Sequence, residues 1–291
     1  RARRIACGRE ALYARRGTDG REAFKVNDIP GGKRVLLIVG GGVAAYKALA
    51  APVANQVIGA ITTDVPNTKD AACNMPAGDL IADSQWAATS ASNLGGAQFA
   101  LMNPGGVRNP GFLYAGSAVG EGDGNVTYGE AFTVQPFGNS LVTLTLTTQQ
   151  VRDTLEQQFP GCLGQTSTYA KVLLPSKGIR YEWDYTQACG AKVRNLTLSS
   201  GAGVQTLVDA AGQVVDAGKT WRVTVNNFLA DGGDGFSALK GGSNRLGGAQ
   251  DIDALSAYLA AYKAPAPAYD PAAANLGKPR IVRLDAGTSC P

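Results

Sequence analysis

Residues 141–161 read LVTLTLTTQQVRDTLEQQFPG, and the change of rhythm inside them decides the fold class. Over 141–146 the pattern has a period of two: Val142, Leu144 and Leu146 share one face and Thr143 and Thr145 the other, which predicts a half-buried strand. From Val151 the period becomes four. Val151, Leu155 and Phe159 line one side of a helix that Thr147 or Thr148 can cap and Pro160-Gly161 stops. A strand feeding directly into a helix is a unit of mixed α/β architecture.

The alternation extends in both directions. Residues 54–64 and Phe99–Met102 predict strands, and between them 78–94 sets Leu80, Ser84, Ala87, Ala91 and Leu94 in one helical stripe. Further strands are expected at 179–185, 193–199 and 220–228, and a last amphipathic helix from Asp251 to about Tyr262. The Pro/Ala-rich stretch 264–274 reads as linker, opening an extended C-terminal tail over 264–291. The expectation is an α/β (mixed α+β) fold: a single layered domain over 43–263, its mixed sheet flanked by helices, plus an irregular basic N-terminal extension over 1–42, a leader or linker.

Composition bounds the chemistry. The chain has 291 residues, 44% of them hydrophobic and 17% charged, as in folded globular proteins. It has no histidine, which excludes Ser-His-Asp and Cys-His nucleophile activation, His-ligated zinc and His-bridged binuclear centres within this chain. The net charge of +4 is concentrated at one end: residues 1–42 hold ten cations against four acids, and the remainder 17 against 19. The body is therefore mildly acidic and carries no nucleic-acid-binding stripe. No run of 18 apolar residues predicts a membrane span. Residues 33–50 have the order of a signal peptide, but they begin 32 residues in and Gly40, Gly41 and Gly42 break the apolar core, so they are not read as a working one. The five cysteines lack zinc spacing; a Cys162–Cys189 bridge and free buried thiols both remain open.

Three loops place glycines beside polar or aromatic side chains at strand ends, where open sheets present ligands. The first, 103–108, holds Asn103, a glycine pair and Arg108, a forked donor for phosphate or hydroxyls. The second, 135–139, holds Phe137 and Asn139; the third, 227–236, sets Phe228 six residues ahead of Asp234 in a glycine turn. Two rings and an acid suit a nucleoside, because a base has two π-faces to stack on and a carboxylate accepts from paired ribose hydroxyls.

In this order, DLIAD at 79–83, ALMNPGGVR at 100–108, VTYGEAFTVQPFGN at 126–139 and NFLADGGDGF at 227–236 resemble the successive signatures of the C-terminal domain of 5′-nucleotidases and UDP-sugar hydrolases. The likeness runs over some three quarters of the chain, about 43–263. It implies the substrate-recognition half of a periplasmic or secreted hydrolase of nucleotide catabolism. Phe137 and Phe228 resemble the rings that sandwich the base, Asp234 the acceptor of the ribose hydroxyls, Asn103 and Arg108 the polar pair beside them, and Asn139 a base-contacting amide. A helix over 43–51 resembles the family's interdomain helix. Partners implied are a nucleoside, nucleotide or sugar nucleotide, and a metallophosphatase domain in cis or trans carrying two divalent metal ions.

Two departures stand out. A family arginine before the first helix has no counterpart here; Lys69 is the nearest cation, and Pro76-Ala77 alters the spacing. The histidine-containing metallophosphatase domain is absent from this chain, which alone is expected to bind without hydrolysing. A stand-alone nucleotide-binding or scaffold protein of the same fold is the alternative. A third reading comes from RVLLIVGGGVAAYKA at 34–48, which resembles the first strand and turn of phosphopantothenoylcysteine decarboxylase flavoproteins.

Overall fold

The computed structural model describes residues 53–117 and 121–291, with the backbone of three strands inside 3–24. The chain divides into two units, Arg1–Ala48 and Leu49–Pro291. In the first, β1 (Arg3–Cys7), β2 (Glu10–Arg16) and β3 (Glu22–Phe24) form an antiparallel sheet in that order. In sequence, Arg3-Arg4 and Arg15-Arg16 interrupt the apolar alternation by which strands are ordinarily recognised, which is why only irregular chain was expected there. The expected helix over 43–51 lies outside the described residues.

The second unit runs β4 (Val57–Ala60), β5 (Val65–Pro66), α1 (Pro76–Thr89), β6 (Phe99–Met102), β7 (Gly111–Phe112), β8 (Asn125–Thr127), α2 (Tyr128–Val134), β9 (Ser140–Thr147) and α3 (Thr148–Glu156). There follow β10 (Leu174–Pro175), β11 (Ile179–Trp183), β12 (Val193–Ser200), β13 (Gly203–Val208), β14 (Thr220–Asn226), α4 (Asn227–Ala230), β15 (Ser243–Gln250), α5 (Asp251–Ala260), α6 (Pro271–Ala274) and β16 (Ile281–Arg283). The main sheet has five strands in the order β10-β6-β14-β9-β15, mixed because β14 runs parallel to β6 and antiparallel to β9. A second sheet orders β13-β12-β11-β16, and β4 with β8 and β5 with β7 form small ladders.

The decisive stretch folds as its rhythm predicts. Thr147 caps α3 reciprocally: its hydroxyl accepts from the Gln150 N–H (3.2 Å) and the Gln150 side chain accepts from the Thr147 N–H (2.8 Å). Val151, Leu155 and Phe159 are all buried, although the helix ends at Glu156 and Phe159 enters the core from the turn beyond it. The strand differs from expectation. Leu141 through Leu144 are all buried, because α1 packs over the sheet and covers the threonine face as well. The covered hydroxyls bond one another: Thr143 to Thr224 (2.9 Å) and Thr224 to Thr89 (2.7 Å). Helix α1 ends at Thr89, so Leu94 falls outside its stripe and is half exposed, in a separate 3-10 turn. Gly95, at φ 131°, then brings the chain back beneath Thr143, where an added Cβ would lie 2.7 Å from the hydroxyl.

The C-terminal tail is a correction to the sequence reading: 264–291 is not an extended appendage. It contributes α6, the strand β16 paired in parallel with β11, and a disulfide from Cys290 to Cys73. Arg280, 1% exposed, forks onto Asp83 with bonds of 2.8 and 2.9 Å and stands 3.6 Å from Asp79, both on α1. One buried ion pair and a three-residue strand leave no periodic trace in sequence, whereas the Pro/Ala run before them does. A second disulfide, Cys162–Cys189, resolves the alternatives left open for those thiols.

Burial pushes the Asp79 carboxyl up to about 7, with Arg280 opposing the shift and Asp83 adding to it. An unfolded aspartate titrates near ~4. The folded chain therefore holds this proton more tightly, and the stability present below pH ~4 is lost as pH rises through about 7. Asp79→Asn should match the wild type near pH 4 and exceed it at pH 8, by on the order of 2–4 kcal/mol. Parallel pH–stability curves for the two proteins would refute this.

Candidate functional site

Three loops meet at one end of the main sheet because of strand direction. β6 and β14 are parallel neighbours, so their C-terminal ends open together; β9, antiparallel to β14, begins at that same end, with Leu141 opposite Asn226. The loop after β6 carries Asn103 and Arg108, the loop before β9 carries Phe137 and Asn139, and the loop after β14 carries Phe228 and Asp234. Asn227 Oδ1 accepts from the Ser140 N–H (3.0 Å), tying the last two loops together.

A chain of amides leads to the acid. Asn226 caps α4 by accepting from the Leu229 N–H (2.8 Å) and donates to Asn103 Oδ1 (2.9 Å); Asn103 in turn donates to Asp234 Oδ2 (2.8 Å). The other oxygen, Oδ1, accepts from Lys171 Nζ at 2.9 Å. Asp234 sits in the left-handed region at φ 56°, and Gln165 Nε2 donates to its peptide oxygen (3.0 Å).

Phe137 and Phe228 are 42% and 45% exposed, an unusual state for phenylalanine that leaves ring surface free to stack. The Arg108 guanidinium carbon lies 4.7 Å from the Phe137 ring centroid, so cation and ring support each other at the rim. Gly233 lets the turn of Asp234 pass beside Phe228; a Cβ there would meet the ring at 2.6 Å. The Asn139 peptide oxygen accepts from the Asp251 N–H (2.8 Å), which ties this loop to the start of α5.

Beside Asp234 opens a cleft of about 270 Å³, lined among others by Pro104, Gly105, Lys69, Tyr169 and Lys171. Partial burial lowers the pKa of Lys69. A larger cleft, about 360 Å³, lies by Arg180 and Leu276, where Arg280 is already committed to Asp83. Asn226, Gln165 and Lys171 were not singled out from sequence. Asn226 adjoins the third loop and is legible as a cap, but Lys171 lies in irregular chain between Cys162 and Cys189 and has no local signal.

The arrangement offers stacking surface, a fixed carboxylate and a guanidinium. Among the described residues no three His, Cys, Asp or Glu side chains are placed to hold a metal ion, and the chain has no histidine to serve as a ligand. Among them, too, no helix is long and apolar enough to cross a membrane.

Residues 54–241 match the family described as 5′-nucleotidase, C-terminal domain. The chain is 30% identical over 162 residues to the trifunctional nucleotide phosphoesterase protein YfkN of Bacillus subtilis, covering 56% of this chain and 10% of that protein. It is 31% identical over 161 residues to snake venom 5′-nucleotidase of Naja atra, covering 55% and 28%. Among solved structures, the 5′-nucleotidase precursor from Thermus thermophilus aligns with a TM-score of 0.61 at 28% identity, over 83% of this chain and 42% of that one. The chain thus spans from a tenth to under half the length of these proteins. The four motifs, the mixed sheet that gathers their loops and the match over 54–241 together establish that this chain belongs to the family of 5′-nucleotidase C-terminal domains.

Proposed function

We propose that the site binds a nucleoside, nucleotide or sugar nucleotide and serves as the substrate-recognition part of a 5′-nucleotidase-type phosphohydrolase acting in nucleotide catabolism. The observation that carries this reading is the convergence, at one sheet end, of two half-exposed rings with a carboxylate fixed by Asn103 and Lys171. The base stacks on Phe137 and Phe228, the ribose hydroxyls donate to Asp234, and Arg108 adds a donor at the rim. Phosphate-ester hydrolysis at two divalent metal ions belongs, in this proposal, to a metallophosphatase domain acting in cis or trans; no residue of this chain is assigned to it. Two disulfides and the likeness to a venom protein support a periplasmic or secreted location.

Calorimetric titration with adenosine tests the site. Removing one stacking ring with Phe228→Ala should weaken binding by about 1–3 kcal/mol. No binding of adenosine at millimolar concentration, or an affinity indifferent to Phe228→Ala, would overturn the reading.

A further inference from the structure

Lys171 belongs to none of the motifs that define the site, yet it makes the closest ionic contact to the acid at its centre. Its ammonium donates to Asp234 Oδ1 at 2.9 Å and also to the Asp234 peptide oxygen at 3.4 Å. Both side chains are largely withdrawn from solvent, 18% exposed for Lys171 and 22% for Asp234. The Tyr169 ring stands 5.7 Å from the ammonium.

Asp234 needs such a restraint. At φ 56° it occupies a conformation that a residue with a side chain keeps only when its surroundings over-determine it. Gln165 holds the peptide oxygen and Asn103 holds Oδ2, but of these three groups only Lys171 bonds carboxylate and backbone of the same residue. It therefore fixes the rotation of the carboxylate relative to the turn that carries it.

Building on the nucleoside-binding reading above, we propose that Lys171 is a positioning residue that locks the Asp234 carboxylate as an acceptor for two adjacent hydroxyls, making the site selective for ribose over deoxyribose. Each carboxylate oxygen has two lone-pair directions. Asn103 takes one on Oδ2 and Lys171 one on Oδ1, which leaves one on each oxygen, the number a vicinal diol fills. A carboxylate free to turn could follow whichever hydroxyl a ligand offers. A locked one leaves an acceptor unpaired when a hydroxyl is missing, and an unpaired acceptor in a site closed by its ligand is penalised.

Titrating the full 291-residue chain with adenosine, 2′-deoxyadenosine and 2′,3′-dideoxyadenosine tests this. The wild type should prefer adenosine over the dideoxy analogue by roughly 10- to 100-fold. Lys171→Met should bring that ratio toward unity, with the dideoxy analogue bound more tightly than by the wild type because the unlocked carboxylate no longer has to face it with unpaired acceptors. Phe228→Ala should weaken all three ligands by a common factor and preserve the ratio. A merely structural role for Lys171 would also lower all three alike, and that result, or a ribose preference that survives Lys171→Met, overturns the proposal. Should Lys171→Met fail to fold, Lys171→Gln, which shortens and neutralises the side chain, carries the same comparison. Failure of the wild type to bind any of the three refutes the nucleoside reading itself; binding without ribose preference refutes only the role given to Lys171.

Discussion

Arg280→Met should lower the free energy of unfolding by about 3–5 kcal/mol, the cost of leaving a buried charge without its partner. The size follows from where the guanidinium lies. It is 1% exposed, it forks onto both oxygens of Asp83, itself fully buried, and it also donates to the Pro175 peptide oxygen (2.8 Å) and to Asn275 Oδ1 (2.6 Å). One side chain thus joins α1, β10 and the C-terminal segment. Methionine fills much of the volume but strands Asp83, whose remaining donor is the Lys177 N–H at 2.6 Å. Asp83→Leu should destabilise too, by stranding Arg280. The double variant should recover a large part of either loss, because an apolar pair of similar volume replaces a buried ion pair at little cost. Urea denaturation of the four proteins measures all three differences. A loss below about 1 kcal/mol for Arg280→Met would mean that the segment from 271 onward is not seated on α1.

The same residue marks a limit of reading sequence alone. Two strands with a local pattern were legible almost to the residue, Phe99–Met102 as expected and β9 only one residue longer at each end, whereas the strand expected over 54–64 is confined to Val57–Ala60. β14 stops at Asn226 instead of continuing to 228 because that asparagine caps a new turn, a competition between strand and cap that a run of apolar residues conceals. β15, SNRLGGAQ, was not legible: all eight residues are exposed, and its strand character comes from pairing with β9 at the sheet edge, not from alternation of its own. The site divides along similar lines. Phe137 and Asp234 stood out by adjoining glycines, Phe228 by opening the loop that holds Asp234, and Asn103 and Arg108 by a strand-end loop. Lys171 reaches Asp234 from 63 residues away, and Arg280 reaches Asp83 from 197 away. Long-range pairs of this kind carry no spacing rule.

Breaking the Cys73–Cys290 bridge with Cys73→Ser and Cys290→Ser should cost more than breaking Cys162–Cys189. The bridges enclose 217 and 27 residues. By loop-closure entropy those lengths correspond to about 5 and about 3.5 kcal/mol respectively, acting on the unfolded chain. The longer bridge also acts on the folded state, since it anchors the far end of the segment that Arg280 and β16 hold. This distinguishes two outcomes when Arg280→Met is combined with loss of the bridge. With the bridge present, a segment deprived of Arg280 cannot move far from β11, and re-docking is favoured by its tether. With the bridge gone, the segment should fray at its end, so the combined loss should exceed the sum of the single losses. The loop on the other side of the bridge gives a second readout. Lys69 and Met75 flank Cys73 and both line the cleft beside Asp234, so the doubly changed protein should also bind adenosine more weakly, whereas loss of Cys162–Cys189 alters stability first. Strict additivity together with unchanged adenosine binding would show that the bridge constrains only the unfolded chain and that the folded segment stands without it.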